Sequence, residues 1–243
     1  RCISDKIIKG CTDLDASNYN PDAMLDDGSC CIDLWGECYN IDSTSVLDLS
    51  SKGIEGKIPN SICNLKNLTQ LKLQNNKLKG EIPPRIGKLE NLTYLSLAHN
   101  QLSGKVPKEI GNLDKLIVLS LYDNLLSGEL PNEIEKLINL IELRIGYNRF
   151  TGQFPNTIIK MRKLTHLNLQ NNQFEGIIPD FVCDLNINWE NFNSFDIENN
   201  RFCPPYNQCI QNYTGSQNIE NCLVLNRDEN SFFNNLKNIF KIK

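Results

Sequence analysis

Two histidines, His99 and His166, are the residues of this 243-residue chain best suited to proton transfer, with Asp123 as a carboxylate partner. Hydrolysis would also require a Ser or Cys nucleophile beside the histidine, or paired acids in a pocket. The sequence places no nucleophile with these residues, and it contains no phosphate loop, dinucleotide fingerprint or zinc-protease motif. We therefore expect both histidines to have surface roles and the protein not to be an enzyme.

Ten cysteines suggest a second kind of chemistry, either metal binding or disulfide formation. Zinc sites usually contain a Cys-x-x-Cys pair with histidines nearby, and neither feature is present. Only Cys63 lies well inside the chain. The other nine gather at its two ends: Cys2, Cys11, Cys30, Cys31, Cys38, Cys183, Cys203, Cys209 and Cys222. This distribution predicts disulfide-bonded caps in an oxidising compartment.

The segment 11–30 is rich in side-chain oxygen atoms. Asp13, Asp15, Asp26 and Asp27 are hard ligands of the type that Ca²⁺ prefers, but their spacing does not match an EF-hand loop. Aspartate and asparagine are also common turn residues. We favour the turn-forming role, keep a calcium site as the weaker alternative, and predict no cofactor.

The formal net charge of −4 argues against nucleic acid or an anionic membrane surface as the partner, because both need a basic face. No stretch approaches the roughly 18 apolar residues of a membrane span. The chain begins at Arg1 without an apolar leader, so we expect a mature or trimmed product that is secreted or displayed at the cell surface.

The elements that must position these residues follow from an internal repeat of 24 residues, Leu68-x-x-Leu71-x-Leu73-x-x-Asn76-x-Leu78-x-Gly80-x-Ile82-Pro83. Glycine recurs at 56, 80, 104, 128, 152 and 176, and proline at 59, 83, 107, 131, 155 and 179. The Leu-x-Leu pair alternates as a short strand must. The repeated asparagine is expected to bond backbone groups of its own and adjacent coils, and the core should be mostly Leu and Ile. One coil cannot bury its own apolar face, so stability must come from its neighbours.

The repeat predicts seven coils over residues 46–202, the last one degenerate. The first coil has Lys52 in place of the asparagine, and the last, Phe192-x-x-Phe195-x-Ile197-x-x-Asn200, falls four residues late. The remaining segments are an N-terminal module (1–30), an N-terminal cap (31–45), a Cys-rich C-terminal cap (203–222) and a tail (223–243). The tail has apolar residues at helical spacing. It packs on the last coil, contacts a membrane surface or is loosely held, and we favour the last.

The repeat resembles the plant-specific class of leucine-rich repeats, found in receptor-kinase ectodomains and polygalacturonase-inhibiting proteins. Residues 82–89 and the Trp-containing loop 31–38 carry the likeness, which spans residues 30–222. It implies an α/β repeat fold: a curved right-handed solenoid with a parallel concave β-sheet, a convex side of 3-10 turns and loops, and disulfide-bonded caps. Residues 10–30 instead resemble a small Cys-bounded module of secreted proteins from marine bacteria, algae and large viruses.

The resemblance also implies disulfide pairings. The cap of the family implies Cys31–Cys38, and Cys11–Cys30 would then close the N-terminal module. At the other end we favour Cys183–Cys203 and Cys209–Cys222, with Cys203–Cys209 as the alternative. Cys2 and Cys63 either pair or stay free.

The concave sheet is the predicted binding surface, because residues flanking the inward leucines project from it. Seven aromatic and charged residues from coils three to six form the predicted ligand site: Tyr94, His99, Tyr122, Asp123, Arg144, Tyr147 and His166. Exposed Tyr and Arg are common hot spots, each worth more than about 1–2 kcal/mol when engaged. The alternative is that they are ordinary solvated sheet residues.

Three Asn-x-Thr sequons, at Asn67, Asn91 and Asn212, predict a glycoprotein if the chain passes through a eukaryotic secretory route. The first two share one repeat position off the concave face, and the repeat consensus alone also accounts for them.

We therefore predict a monomeric extracellular binding protein that recognises a protein, peptide or glycan. The alternatives are a self-associating structural protein of the cell surface and an inhibitor of a secreted cell-wall-degrading enzyme. A hydrolase is a distant third.

Overall fold

A computed structural model describes residues 7–189, 191, 193–220 and 222. It shows a solenoid built on two parallel seven-stranded sheets. The strands of the first, concave sheet are Val46–Asp48, Gln70–Lys72, Tyr94–Ser96, Val118–Ser120, Glu142–Arg144, His166–Asn168 and Phe195–Asp196. The strands of the second sheet are Glu55–Gly56, Lys77–Gly80, Gln101–Gly104, Leu125–Gly128, Arg149–Gln153, Gln173–Ile177 and Arg201–Cys203. The predicted character of the tail and the pairing of Cys2 lie outside the described residues, as does Phe192.

The convex side of each coil carries a 3-10 helix that begins directly after the repeated proline, whose fixed φ suits the residue before the helix. These helices are Asn60–Asn64, Pro84–Lys88, Lys108–Asn112, Asn132–Lys136, Asn156–Lys160, Asp180–Asp184 and Gln208–Ile210, the last of them after Asn207 instead of a proline. Successive helices pack closely enough that a Cβ at Gly111 would lie 2.3 Å from the Glu133 carbonyl oxygen. In the described part of the chain, no helix is long and apolar enough to cross a membrane.

The register of the concave sheet confirms the 24-residue period. Leu95 pairs with Leu119 and Leu119 with Leu143, and all three side chains are fully buried. The last pair, Leu167 with Phe195, is 28 residues apart, as expected for a coil that falls four residues late.

The core is not aliphatic throughout. Phe150, Phe174 and Phe202 occupy one column of the last three coils and stack with centroids 6.1 and 6.2 Å apart. The expectation of a core built mainly from Leu and Ile still holds, because these two residue types remain the most frequent buried residues across the described solenoid. In coils five to seven, stacked rings fill the column that holds Leu78, Leu102 and Leu126 in coils two to four.

The repeated asparagines bond one coil to the next. Asn124 Oδ1 accepts the Leu102 N–H at 3.0 Å, and its Nδ2 donates to the carbonyls of Leu97 and Leu121 at 3.0 and 3.2 Å. Five further asparagines repeat the arrangement: Asn76, Asn100, Asn148, Asn172 and Asn200. Each side chain thereby satisfies backbone groups that would otherwise be buried without partners.

Gln217 ends this ladder of six asparagines, in place of a seventh. Its Oε1 accepts the Phe202 N–H at 3.1 Å, and its Nε2 donates to the Ile197 carbonyl at 2.9 Å. The glutamine belongs to the C-terminal cap and lies 17 residues after Asn200 instead of 24, so the repeat pattern does not reveal it.

The N-terminal part consists of two small pairs of strands. Lys9–Gly10 pairs with Leu25–Asp26 in parallel, and Cys31–Leu34 forms an antiparallel hairpin with Glu37–Asn40. Trp35 and Gly36 make the hairpin turn with φ angles of 54° and 89°, the left-handed pair that two-residue hairpins favour. The hairpin buries Ile32 and Leu34 in the same core as the first coils.

The disulfides confirm two predicted pairings and correct two. Cys11–Cys30 and Cys31–Cys38 form as expected. The predictions of Cys183–Cys203, Cys209–Cys222 and the alternative Cys203–Cys209 are wrong: Cys183 pairs with Cys209, and Cys203 with Cys222.

The position of each C-terminal cysteine within its coil explains the correction. Cys183 and Cys209 both lie in convex 3-10 helices of consecutive coils, whereas Cys203 ends a strand of the second sheet. Cys63 is fully buried and makes no disulfide within the described residues. Burial raises the pKa of its thiol to about 11.

Candidate functional site

A groove of about 490 Å³ runs along the concave sheet between the second and seventh coils. Four of the predicted site residues line it: Tyr94, His99, Tyr122 and Arg144. Tyr94 and Arg144 lie in concave strands, Tyr122 continues the alternation of the strand that ends at Ser120, and His99 reaches the groove from a left-handed residue after its strand. The structure thus brings together residues that lie up to 50 positions apart in the chain.

The residue that follows the strand region of each coil has a left-handed backbone. His99, Asp123 and Tyr147 have φ angles of 53°, 53° and 55°, and the same position holds Asn75 and Asn171 in other coils. Asparagine, aspartate and histidine tolerate this conformation better than most residues, whereas a bulky side chain such as tyrosine is an outlier there. Such outliers cluster at functional sites, where surrounding structure maintains the strain.

These left-handed positions build a continuous cluster at the edge of the sheet. His99 Nδ1 lies 2.8 Å from Asp123 Oδ2. The His99 ring meets the Tyr122 ring edge-on at 5.4 Å between centroids, and Tyr122 contacts Tyr147 at 5.1 Å. His99, Asp123 and Tyr147 are all exposed, so the cluster presents aromatic area and the hydrogen-bonded His99–Asp123 pair to solvent.

Tyr122 is the half-buried centre of the cluster. Burial raises the pKa of its phenol to about 12, and Tyr147, Asp123 and Asp196 add to the rise. Asp196, which lies three coils away, lines the same groove as Tyr122. The neutral, hydrogen-bonding form of Tyr122 is therefore the one present at physiological pH.

Charge pairs continue along the groove towards both ends. Arg144 Nη2 bonds Glu142 Oε2 at 2.9 Å on one strand. Lys72 Nζ lies 3.6 Å from Asp48 Oδ2 and 5.6 Å from the centre of the Tyr94 ring. These side chains can offer both hydrogen-bond donors and acceptors to a bound molecule.

His166 does not join the predicted set. It begins its strand beside Glu142, its Nδ1 lies 2.9 Å from Thr165 Oγ1, and it is not among the residues that line the groove. Asp123 is paired with His99 and not with His166, so the structure does not form the His166–Asp123 pair considered from the sequence. The two His99 side-chain contacts that the structure gives are with Tyr122 and Asp123, so its ring belongs to the aromatic cluster.

Sequence reasoning missed several groove residues in the later coils: Asn168, Gln170, Asn193 and Asp196. Asn168 and Asp196 follow Arg144 in the same column of the sheet, and Gln170 shares the column of Tyr122. The repeat shows which column of the sheet each of these residues occupies. It does not show that they line the groove, because polar residues at these positions are also typical of ordinary solvent-exposed sheet.

The acidic residues of the N-terminal module act as turn formers. Asp13 Oδ1 accepts the Asp15 N–H at 2.8 Å, and Asp26 and Asp27 accept the N–H groups of Gly28 and Ser29 at 2.9 and 3.0 Å. These bonds support the turn interpretation over the calcium alternative. Within the described residues, no three His, Cys, Asp or Glu side chains are grouped closely enough to hold a metal ion.

Two predicted glycosylation sites take part in a second set of side-chain bonds, which lies before the second, third and fifth concave strands. Asn67 Nδ2 donates to the Asp42 carbonyl at 2.8 Å, and Asn91 Nδ2 to the Lys66 carbonyl at 3.0 Å. Asn139, which is not followed by a sequon threonine, makes the equivalent bond to Asp114. The asparagine at this position therefore has a structural reason of its own, and glycosylation of Asn67, Asn91 and Asn212 stays a prediction.

Two family models match the chain. One, described as a leucine-rich repeat region, matches residues 84–187, and the other, described as leucine rich repeat, matches residues 43–65 and 67–89. Together they cover the first six coils. No curated protein sequence matches the chain.

Solved structures of plant receptors share the fold. The chain is 35% identical to PEPR1 in its complex with AtPEP1 over 73% of its residues, with a TM-score of 0.66. It is 31% identical over 71% of its residues to the Arabidopsis receptor kinase HAESA in complex with the peptide hormone IDA and the co-receptor SERK1, with a TM-score of 0.67.

The chain is 29% identical over 65% of its residues to the plant peptide hormone receptor RGFR1 in complex with RGF2, with a TM-score of 0.57. The chain spans 26%, 29% and 25% of the PEPR1, HAESA and RGFR1 chains. The family models and these structures agree with the repeat and with the solenoid fold. The chain therefore belongs to the leucine-rich-repeat proteins, with repeats of the class found in the ectodomains of plant receptor kinases.

Proposed function

We propose that this protein is an extracellular, non-catalytic binding protein that recognises a peptide, or an extended segment of a protein, in the concave groove. The observation that carries the proposal is the position of Tyr147. Its backbone has a left-handed φ of 55°, and its ring is 44% exposed against Tyr122. If this position had only to form a turn, the asparagine found there in other coils would adopt the left-handed backbone with less strain than tyrosine.

The composition of the groove fits a peptide. Exposed Tyr and Arg side chains supply large contact area and directed hydrogen bonds, and they are enriched among residues that dominate binding energies. The groove also offers both charged and neutral polar partners, as the backbone and side chains of a peptide require.

The likeness to HAESA and RGFR1 supports this class of ligand, because the first is solved with a peptide hormone and the second is described as a peptide hormone receptor. The chain corresponds to only about a quarter of those proteins. The likeness therefore supports a peptide-binding surface on this chain and does not support a role in a particular signalling pathway.

A selection from a random peptide library on the intact chain, with a glycan array in parallel, tests the proposal. We expect peptides to be enriched and their binding to be lost in the triple variant Tyr94→Ala/Tyr122→Ala/Arg144→Ala. A matched triple variant away from the groove, Lys79→Ala/Lys105→Ala/Glu129→Ala, should keep binding, because all three side chains are exposed in or beside the second sheet. Binding that survives the concave variant, or that is confined to glycans, would contradict the proposal.

Self-association is the second candidate, and one observation favours it. Ile117 and Ile141 are adjacent at the start of neighbouring strands, joined by a 2.8 Å backbone hydrogen bond, and both are exposed. Exposed neighbouring apolar residues are typical of contact surfaces. Sedimentation over a range of concentrations separates the candidates: the binding protein should remain a monomer, and a structural protein should associate.

A further inference from the structure

A cavity of about 540 Å³ lies at the N-terminal end of the concave surface, where the cap hairpin meets the first coil. The hairpin contributes Trp35, Glu37 and Tyr39 to its lining, and the first coil contributes Val46 and Lys52. None of these five residues lines the groove between the second and seventh coils. The cavity is therefore a separate part of the surface.

Apolar side chains of this cavity are partly open to solvent. Trp35 and Tyr39 are only partly buried against the core, and Val46 is 48% exposed. Trp35 also has a left-handed φ of 54°, at a turn position where two-residue hairpins favour asparagine. Because asparagine would form this turn with less strain, the turn itself does not account for the tryptophan.

The cavity also contains a carboxylate and an ammonium group that make no salt bridge with any described residue. Glu37 accepts a hydrogen bond from the Tyr39 hydroxyl at 2.6 Å and retains further acceptor capacity. Lys52 stands where the later coils carry the ladder asparagine. Asp48, the third charged residue of the lining, is already paired with Lys72. An acceptor and a donor are thus available beside the aromatic side chains.

A phenol hydroxyl suits both of these groups, because it donates to a carboxylate and accepts from an ammonium. A ligand carboxylate would instead meet Glu37 as a like charge, and a ligand ammonium would meet Lys52 in the same way. An aromatic ring packs favourably, edge-on or offset, against Trp35 and Tyr39. The tyrosine side chain combines this ring with this hydroxyl.

The cavity is joined to the groove through Lys72. Its Nζ lies 3.6 Å from Asp48 Oδ2, in the lining of the cavity, and 5.6 Å from the centre of the Tyr94 ring, which lines the groove. The concave strands Val46–Asp48 and Tyr94–Ser96 are two coils apart. Neighbouring strands are about 4.8 Å apart, so this step is about 10 Å, or about three residues of an extended peptide.

We propose that this cavity binds a tyrosine side chain of the peptide that the concave groove recognises. The ring packs against Trp35 and Tyr39, and the hydroxyl donates to Glu37 and accepts from Lys52. The site rests on the proposed function and deepens it by naming one residue of the ligand. Selected peptides should carry tyrosine about three residues from the residue that contacts Tyr94.

The test uses N-acetyl-tyrosine amide and N-acetyl-phenylalanine amide as probes on the intact, isotope-labelled chain, with N–H chemical shifts as the readout. We expect saturable shifts at Tyr39, Val46 and the Trp35 indole with millimolar tyrosine probe. The phenylalanine probe should bind about tenfold more weakly, because it lacks the hydroxyl that bonds both charged groups. Trp189 is the only other tryptophan of the chain, and its indole should not shift.

Two variants separate the aromatic side chains from the charged groups. Trp35→Asn removes the ring but keeps a residue that tolerates the left-handed turn, and it should weaken tyrosine binding by about tenfold. Glu37→Met/Lys52→Met removes both hydrogen-bonding groups, so the two probes should then bind within about twofold of each other. The matched control Glu55→Met/Lys57→Met changes exposed first-coil residues outside the cavity and should keep the preference for tyrosine.

Absence of a saturable shift with the tyrosine probe, an equal response to phenylalanine, or unchanged tyrosine binding in Trp35→Asn would overturn the inference. Stronger binding of methyl β-glucoside, which also presents hydroxyls and an apolar face, would overturn it as well. Failure of the proposed function has a different signature. Selected peptides that bind in the groove without tyrosine, and equally well to Trp35→Asn, would remove only the cavity site. A tyrosine response without any peptide binding would remove the proposed function.

Discussion

The rings of Tyr122 and Tyr147 lie 5.1 Å apart, tilted by 54°, although Tyr147 belongs to the next coil and sits on a left-handed residue. The same position is Ser51, Asn75, Asn171 and Asn199 in other coils. An aromatic pair contributes about 0.5–1.5 kcal/mol beyond the area that it buries, while a left-handed backbone costs about 1–2 kcal/mol for an ordinary residue. The two effects nearly cancel, so stability alone gives little reason for a tyrosine here.

Replacement of Tyr147 by glycine and by alanine separates the two effects. Both variants lose the ring, but only glycine adopts φ near 55° without strain. We expect Tyr147→Gly to be more stable than Tyr147→Ala by about 1 kcal/mol in urea unfolding, the reverse of the usual order.

Tyr122 is the matched control because its φ is not in the left-handed region. There the usual order should return, with Tyr122→Ala more stable than Tyr122→Gly by about 0.5–1 kcal/mol. The same order at both positions would show that backbone strain at Tyr147 is not significant.

The raised pKa of Tyr122 predicts that the folded protein loses stability at alkaline pH. Its pKa of about 12 in the folded protein lies above the value of 10.0 for an unperturbed tyrosine. The folded state therefore holds this proton more tightly, so the stabilisation is complete below pH 10 and is lost as the pH rises through about 12. Tyr122→Phe should remove this part of the pH dependence and one phenolate absorbance step near pH 12.

Tyr39 provides an internal reference for that titration, because burial and the neighbouring Glu37 raise its pKa to about 12 as well. Its absorbance step should persist in Tyr122→Phe and disappear in Tyr39→Phe. An absorbance titration that is unchanged by Tyr122→Phe would contradict the assigned environment of Tyr122.

The asparagine ladder predicts that removal of one of its side-chain amides lowers the free energy of unfolding markedly. Asn124→Ala leaves the buried Leu102 N–H without its partner and removes one of the two amide donors to the Leu97 carbonyl, and we expect a loss of about 1–3 kcal/mol in the free energy of unfolding. Asn67→Ala removes a single exposed bond to the Asp42 carbonyl and should cost less than about 1 kcal/mol. Equal costs for the two variants would argue against the structural role of the ladder.

Peptide mapping without reduction tests the pairing of the four C-terminal cysteines. Chymotrypsin cuts after Tyr206 and Tyr213, and after the aromatic residues between 183 and 203, so each of the four cysteines falls on its own fragment. Non-reducing digestion should give fragments that join Cys183 to Cys209 and Cys203 to Cys222. A fragment that joins Cys183 to Cys203 would contradict the structure. Trypsin is unsuitable because no Lys or Arg separates Cys203 from Cys209.

The sequence predicted the parts of the fold that repeat. The 24-residue period determines both sheets, the buried leucine columns and the asparagine ladder, because each coil meets the same neighbours as the one before. The pairing of Cys183 was mispredicted where that regularity ends: the seventh coil begins four residues late, and the cysteines meet according to their place in a coil and not by order in the chain.

The candidate site was predicted in part for the same reason. Repeat register placed Tyr94, Tyr122 and Arg144 on one face, but it could not show that His166 bonds its neighbour Thr165 or that Gln170 is left without a donor. These properties depend on side-chain rotamers and on the space that Gly146 leaves for the Gln170 side chain. Neither leaves a periodic signal in the sequence.

The position of Gln217 has a consequence for the length of the molecule. The last coil of a solenoid presents the same backbone N–H and carbonyl groups that every earlier coil presents to the next one. Gln217 of the C-terminal cap bonds two of these groups, the Phe202 N–H and the Ile197 carbonyl, so no further coil can add there. Duplication of a whole 24-residue unit before this cap would lengthen the groove and leave both ends intact. The size of the ligand that the protein accommodates is thus open to change in steps of one coil.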